Sequence, residues 1–231
     1  NRTPLKSSNI SISIPISEML CFEIFYESSL STNALSEHID WEFSVLFPEL
    51  DLKNYLLRSV PLKNNDNQKK MLIIAAQTKL VKQLFNFAKE NNFKLKFVDN
   101  NHFSSDLNII LNENKTTLSI YVDYPFISLN SYIGKGLNAT NTFHIPNKSE
   151  QSNKLINFIE SKNIVYDKIY MASSVENDEL KFEIEERLKN PIELINPFEF
   201  IPTSESFIQN AYFMNKPNTF SAAAGICFRK F

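Results

Sequence analysis

The sequence predicts an α/β fold assembled from two successive modules, and three observations carry that expectation. Apolar residues recur with period two in short β-rich runs such as Ile10-Ser11-Ile12-Ser13-Ile14. Between such runs they recur with helical spacing, as at Leu35, Ile39, Phe43 and Leu46. After the polar break Asn112-Glu113-Asn114-Lys115 the pattern restarts, in the order three strands, helix, strand, helix, strand. With 231 residues, 43% hydrophobic and 13% aromatic, the chain can bury one sizeable core or two modest ones.

Residues 10–15 and 19–26 read as two opening strands. Ser31 or Asn33 is placed to cap the helix that carries Leu35 to Leu46, and Phe47-Pro48 ends it. Residues 55–62 and 71–76 form a hairpin around the polar run 63–70. Thr78 is placed to cap a helix with Leu80, Leu84, Phe87 and Ala88 on one face; residues 93–98 are a strand, and a short helix covers about 103–111. In the second module 117–122, 126–133 and about 139–145 are strands. A helix at about 149–162 buries Leu155, Phe158 and Ile159, residues 168–172 are a strand, 178–189 a charged amphipathic helix, and 192–195 a strand. Residues 219–231 read as a closing helix, in which Ala222-Ala223-Ala224-Gly225 is small enough to pack closely against a sheet.

Composition excludes several function classes. With 24 basic against 26 acidic residues there is no basic field to attract phosphate backbones, so nucleic acid is not an expected partner. Phosphate loops need glycine for close backbone approach, and the chain holds three, Gly134, Gly136 and Gly225. Cys21 and Cys227 lie near opposite ends inside apolar patterns and read as buried free thiols in a reducing compartment. No apolar run approaches the ~20 residues that span a bilayer, so no transmembrane segment is expected. The chain opens at Asn1 without a methionine or a charged-then-apolar leader, and an upstream segment is expected to be missing.

Three strands followed by helix, strand and helix make the half-module of the actin-like (ribonuclease H-like) ATPase fold. Several strings in this chain resemble the PilM family of pilus-assembly proteins, relatives of the division protein FtsA. They are Ser13-Ile14-Pro15, Ile39-Asp40-Trp41-Glu42 leading to Phe47-Pro48, Met71 to Ala76, Pro191-Ile192-Glu193-Leu194-Ile195-Asn196-Pro197-Phe198, and Ala222-Ala223-Ala224-Gly225-Ile226-Cys227-Phe228-Arg229. The resemblance spans nearly the full chain in order. It implies a first actin-like half at 1–112, with a small inserted subdomain at about 31–100, and a second half at 113–231. The opening phosphate hairpin of the first half, Asp-x-Gly-Ser in the family, has no counterpart here.

In such a fold the second half supplies a further phosphate hairpin, whose Asp-x-Gly lets backbone amides cradle phosphate while the carboxylate orients metal-bound water. The matching stretch is Val122-Asp123-Tyr124-Pro125-Phe126, which keeps the acid but replaces the glycines with a ring and with a proline that has no N–H. The adenosine turn, Gly-Gly in the family, reads Tyr170-Met171-Ala172-Ser173-Ser174-Val175-Glu176-Asn177. Ser173 and Glu176 have the spacing of a capping box, and Glu176, Asp178 and Glu179 oppose a triphosphate at that helix N-terminus. The degenerate cofactor-binding positions are therefore Asp123, Ser173 and Ser174, with Asp123 the one catalytic candidate.

No metal set is expected, since His38, His102 and His144 share no ligand spacing with each other or with a cysteine. Glu183/Arg187 and Glu185/Lys189 read as i,i+4 pairs on a solvated face. Gly134-Lys135-Gly136 reads as a turn between strands, because it lacks the strand-to-helix context of a phosphate loop.

The resemblance implies a non-catalytic cytoplasmic scaffold, a pseudo-ATPase without a cofactor, peripheral to the inner membrane through a partner. In the family a groove between the first-half core and the inserted subdomain accepts the tail of a membrane partner of the pilus or secretion machinery. Here that groove falls near residues 11–26 and the 55–76 hairpin, where exposed strand edges could take up an extended peptide by β-augmentation. Two other expectations stay open. One is an active ATPase or small-molecule kinase, with ATP and magnesium and with Asp123 as catalytic carboxylate; the other is an actin-like protein unrelated to pili.

Overall fold

A computed structural model of the protein describes residues 7–63, 69–109, 115–175, 177–199, 201 and 215–229. The chain divides into two compact units, Asn1–Asn100 and Asn101–Phe231.

The first unit contains strand β1 (Asn9–Ile14), strand β2 (Met19–Tyr26), helix α1 (Thr32–Leu46), strand β3 (Tyr55–Pro61), strand β4 (Lys69–Gln77), helix α2 (Thr78–Glu90) and strand β5 (Lys94–Asn100). The two opening strands do not pair with each other. β1 runs parallel to β5, whereas β2 and β3 flank β4 in an antiparallel three-stranded sheet. The apolar run of β4 suits that central place, with Met71, Leu72, Ile73, Ala75 and Ala76 all buried. On one face Phe22, Ile24, Met71, Ile73 and Leu57 pack against Leu35 and Ile39 of α1, the period-two pattern meeting the helical one. Phe43 is fully buried and touches the rings of Phe22, Phe47 and Tyr55.

Ser31 caps α1 as its sequence predicts, its hydroxyl accepting from the Ala34 N–H at 3.3 Å. The start of α2 differs. β4 runs straight into the helix, so Gln77 holds the capping position without a side-chain bond, and Thr78 Oγ1 is buried with no partner among the described residues. The expected inner face of α2 also shifts, because Phe87 is 52% exposed while Leu80, Val81 and Leu84 are half-buried and Ala88 is buried.

The second unit opens with helix α3 (Asn101–Asp106), shorter than the expected 103–111. It continues through strands β6 (Thr116–Asp123), β7 (Phe126–Ile133) and β8 (Gly136–His144), helix α4 (Gln151–Ser161), strand β9 (Lys168–Ser173), helix α5 (Asp178–Leu188), strand β10 (Ile192–Leu194) and helix α6 (Ser221–Gly225). The strands form one sheet in the order β10-β9-β6-β7-β8, with β6, β7 and β8 antiparallel and β9 and β10 parallel to β6. Leu118, Ile120, Val122, Ile127, Leu129, Ile169 and Met171 project to one face and pack against Leu155, Ile156 and Ile159 of α4 and Leu180 and Ile184 of α5. Gly134 turns between β7 and β8 with φ 60°, as a turn glycine should, and its N–H donates to the Lys115 carbonyl at 2.8 Å.

Several sequence expectations are corrected here. The closing segment is α-helical only at α6, between 3-10 turns at Pro217–Phe220 and Ile226–Phe228. Its small residues pack on α3 and not on a sheet, since a Cβ on Gly225 would stand 1.8 Å from the Ser104 carbonyl oxygen. On α5, Glu185 pairs with Lys181 at 2.7 Å and also accepts from the Ile192 N–H at 2.7 Å, while Arg187 donates to Asn153. Lys189 cannot join Glu185 on the helix because it ends that helix in the left-handed conformation, with φ 51°. Both thiols are free, but Cys227 is exposed and Cys21 only half-buried. Among the described residues no helix is long and apolar enough to cross a membrane.

Candidate functional site

Parallel pairing of β6 with β9 sets the carboxyl ends of the two strands side by side, and the candidate residues sit there. Asp123 ends β6, and Ser173 ends β9. Ser174 donates its N–H to the Val122 carbonyl at 2.9 Å and its hydroxyl to Asp123 Oδ1 at 2.8 Å. The structure thus brings Asp123 and Ser174 together.

Ser173 turns the other way. Only 1% exposed, it accepts from Asn218 Nδ2 at 3.0 Å and donates to the Val175 carbonyl. It does not cap α5: the capping position belongs to Asn177, which makes no side-chain cap, and Asn177 Nδ2 instead reaches the Val175 carbonyl at 3.2 Å. Glu176, the other half of the expected capping box, lies outside the described residues.

The hairpin between β6 and β7 is closed by Tyr124 and Pro125, joined by a cis peptide. The Tyr124 hydroxyl donates to the Pro146 carbonyl, the Pro125 carbonyl accepts from the Ile145 N–H at 2.8 Å, and Lys148 Nζ stands 5.2 Å from the Tyr124 ring centre. Phe126 packs its ring on His144, with centroids 4.9 Å apart. The hairpin tip is therefore tied to the segment after β8 by its own side chains and backbone. Of the amides that could face a ligand, the one at Pro125 does not exist and the one on Ser174 is already bonded.

Among solved structures, the chain matches a chain of the PilM–PilN type IV pilus biogenesis complex with a TM-score of 0.80 at 12% identity, covering 97% of this chain and 80% of that one. The fold is actin-like and of the PilM type. A Bacteroides thetaiotaomicron protein described as having an actin-like ATPase fold and unknown function also matches, with a TM-score of 0.55 at 12% identity, over 95% of this chain and 73% of that one. No protein-family model matches the chain, and no curated protein matches it in sequence.

Within this PilM-type fold the sequence missed a buried polar cluster on the sheet face opposite the apolar core. His102 on α3 contacts Ser128 Oγ through Nδ1 at 2.8 Å and Ser119 Oγ through Nε2 at 3.1 Å. Asp106, one turn on, accepts from Ser119, from Asn130 Nδ2 at 2.7 Å and from the Tyr132 hydroxyl. Its carboxylate lies 3.5 Å from His102 Nε2. Burial pushes the His102 imidazole below its usual 6.5, and neighbouring Asp106 pulls the other way. Every member of the cluster has a partner inside the protein, so it holds α3 on the sheet. The i,i+4 spacing of His102 and Asp106, and the polar residues alternating along β6 and β7, were the signals available for it. Among the described residues no group of three or more His, Cys, Asp or Glu side chains is gathered to hold a metal.

Proposed function

We propose that the chain is a non-catalytic actin-like scaffold, similar to PilM, that binds an extended peptide tail of an inner-membrane partner in a pilus or secretion assembly. In this reading it works in the cytoplasm, reaches the membrane through that partner, and uses neither nucleotide nor metal. The observation that carries the reading is the match over 97% of the chain to a component of the PilM–PilN complex. The hairpin supports the absence of nucleotide: Tyr124 and Pro125 stand where amides would cradle phosphate, and Ser174 occupies the carboxylate of Asp123.

The edge strand β3 suits a peptide best. Leu56 is 48% exposed on it. On the opposite edge, β2, the Phe25 carbonyl already faces the His38 ring at 2.9 Å. A peptide added to β3 would take its affinity from main-chain bonds and its specificity from contacts such as Leu56. Calorimetric titration with cytoplasmic-tail peptides of inner-membrane pilus and secretion proteins tests this. Saturable binding that weakens about tenfold on Leu56→Arg supports it, and absence of binding across the set counts against it.

A further inference from the structure

In the second unit a cavity of about 380 Å³ opens between the turn after α3 and the edge strand β10. Asn108 lines it, and is 3% exposed. Its Nδ2 donates to the Ser105 carbonyl at 2.8 Å and to the Ser221 carbonyl at 2.7 Å. Those two bonds fix the amide, because a flip would press its oxygen against two carbonyl oxygens. Asn108 Oδ1 is then a buried acceptor with no donor among the described residues. Buried acceptors are seldom left in that state, and an ordered water or the donor of a ligand in the cavity would satisfy it.

The rest of the lining says what kind of donor fits. Glu193 and Glu199 place two carboxylates on the cavity, Tyr170 lines it beside Glu193, and among the described residues no Lys, Arg or His does. Glu193 is paired with Lys168, and Glu199 accepts from Asn196 Nδ2 at 3.2 Å, which leaves that exposed carboxylate with acceptor capacity. Ile109 and Ile195 add apolar surface beside these acceptors. A divalent cation would find too few ligands, since no set of three metal-binding side chains is gathered among the described residues.

We infer that this cavity binds a primary ammonium group on an aliphatic stem. The ammonium donates to Asn108 Oδ1, Glu199 and Glu193 balance its charge, and Ile109 and Ile195 contact the stem. A free diamine and the side chain of a peptide lysine offer the same chemistry.

The test is an amide-resolved NMR titration of the full chain with 1,4-diaminobutane, with a capped Ala-Lys-Ala peptide, with the same peptide acetylated on the lysine, and with magnesium chloride. The expected result is saturable shifts at the Asn108 side-chain amide and at residues 194–196 with an amine, and none with the acetylated peptide. Glu199→Gln, at an exposed position, should weaken binding about threefold or more. If that variant loses its fold, which the same spectra report, Glu193→Gln gives the equivalent reading. Tighter binding of the peptide assigns the site to a lysine side chain, and tighter binding of the diamine assigns it to a small polyamine; either supports the inference. It is overturned by no saturable shift with either amine, by equal shifts with the acetylated peptide, by shifts with magnesium alone, or by unchanged affinity in the folded glutamine variant.

Discussion

Tyr124 and Pro125 show how two residues change the chemistry open to a hairpin. The Tyr124 ring is drawn to the segment after β8, where glycine would leave the backbone uncovered, and the proline brings no amide to donate. Elsewhere at this scale, burial decides reactivity. Burial and the nearby charge of Asp99 push the Cys21 thiol up to about 12, whereas Cys227 is exposed. Alkylation with iodoacetamide near neutral pH, followed by mass spectrometry, should therefore modify Cys227 alone in the folded protein and both thiols in denaturant. His102 makes stability depend on acidity. Its folded-state pKa lies below the ordinary 6.5, so its contribution is present above 6.5 and is lost as pH falls and the unfolded chain takes up the proton. Urea midpoints measured between neutral pH and pH ~5 should fall with a contribution of up to ~1.4 kcal/mol per pH unit from this residue, and His102→Asn should flatten that part of the slope.

Among the elements, the second unit's strands and helices were legible because their periods are local. Leu118, Ile120 and Val122 alternate with Thr117, Ser119 and Tyr121, and the pattern alone places β6 in a sheet with one apolar face. What covered the polar face was not legible, because α3 and α6 are far apart in sequence and neither carries an apolar stripe. The Ala-Ala-Ala-Gly run read correctly as a site of close approach but named the wrong neighbour. Gly225→Ala tests the true one: its Cβ would meet the Ser104 carbonyl oxygen at 1.8 Å, and the two short helices must part. A loss of about 3 kcal/mol, read as a lower thermal midpoint, is expected, and an unchanged midpoint would show that this contact is not tight in solution. The candidate site was legible in part. Asp123 and Ser174 were both singled out, and parallel pairing of β6 with β9 joins them. Ser173 was misread as a cap because its partner, Asn218, lies far along the chain. The two opening strands were legible as strands, but their neighbours were not, since nothing local in β1 says that it pairs with β5.

For the whole molecule, the match to a PilM–PilN component establishes the architecture, while the function rests on what the hairpin and the strand edges can and cannot bind. The proposed scaffold keeps an actin-like sheet with its flanking helices, closes the hairpin after Asp123 with Tyr124 and Pro125, and is proposed to act by holding a partner and not by turnover. The measurement that bears on this most directly is titration of the protein with a fluorescent ATP analogue in the presence of magnesium. The account predicts no saturable signal up to millimolar nucleotide, in the wild type and in Asp123→Ala alike. Saturable binding at micromolar nucleotide, lost in Asp123→Ala, would contradict it and restore the active ATPase.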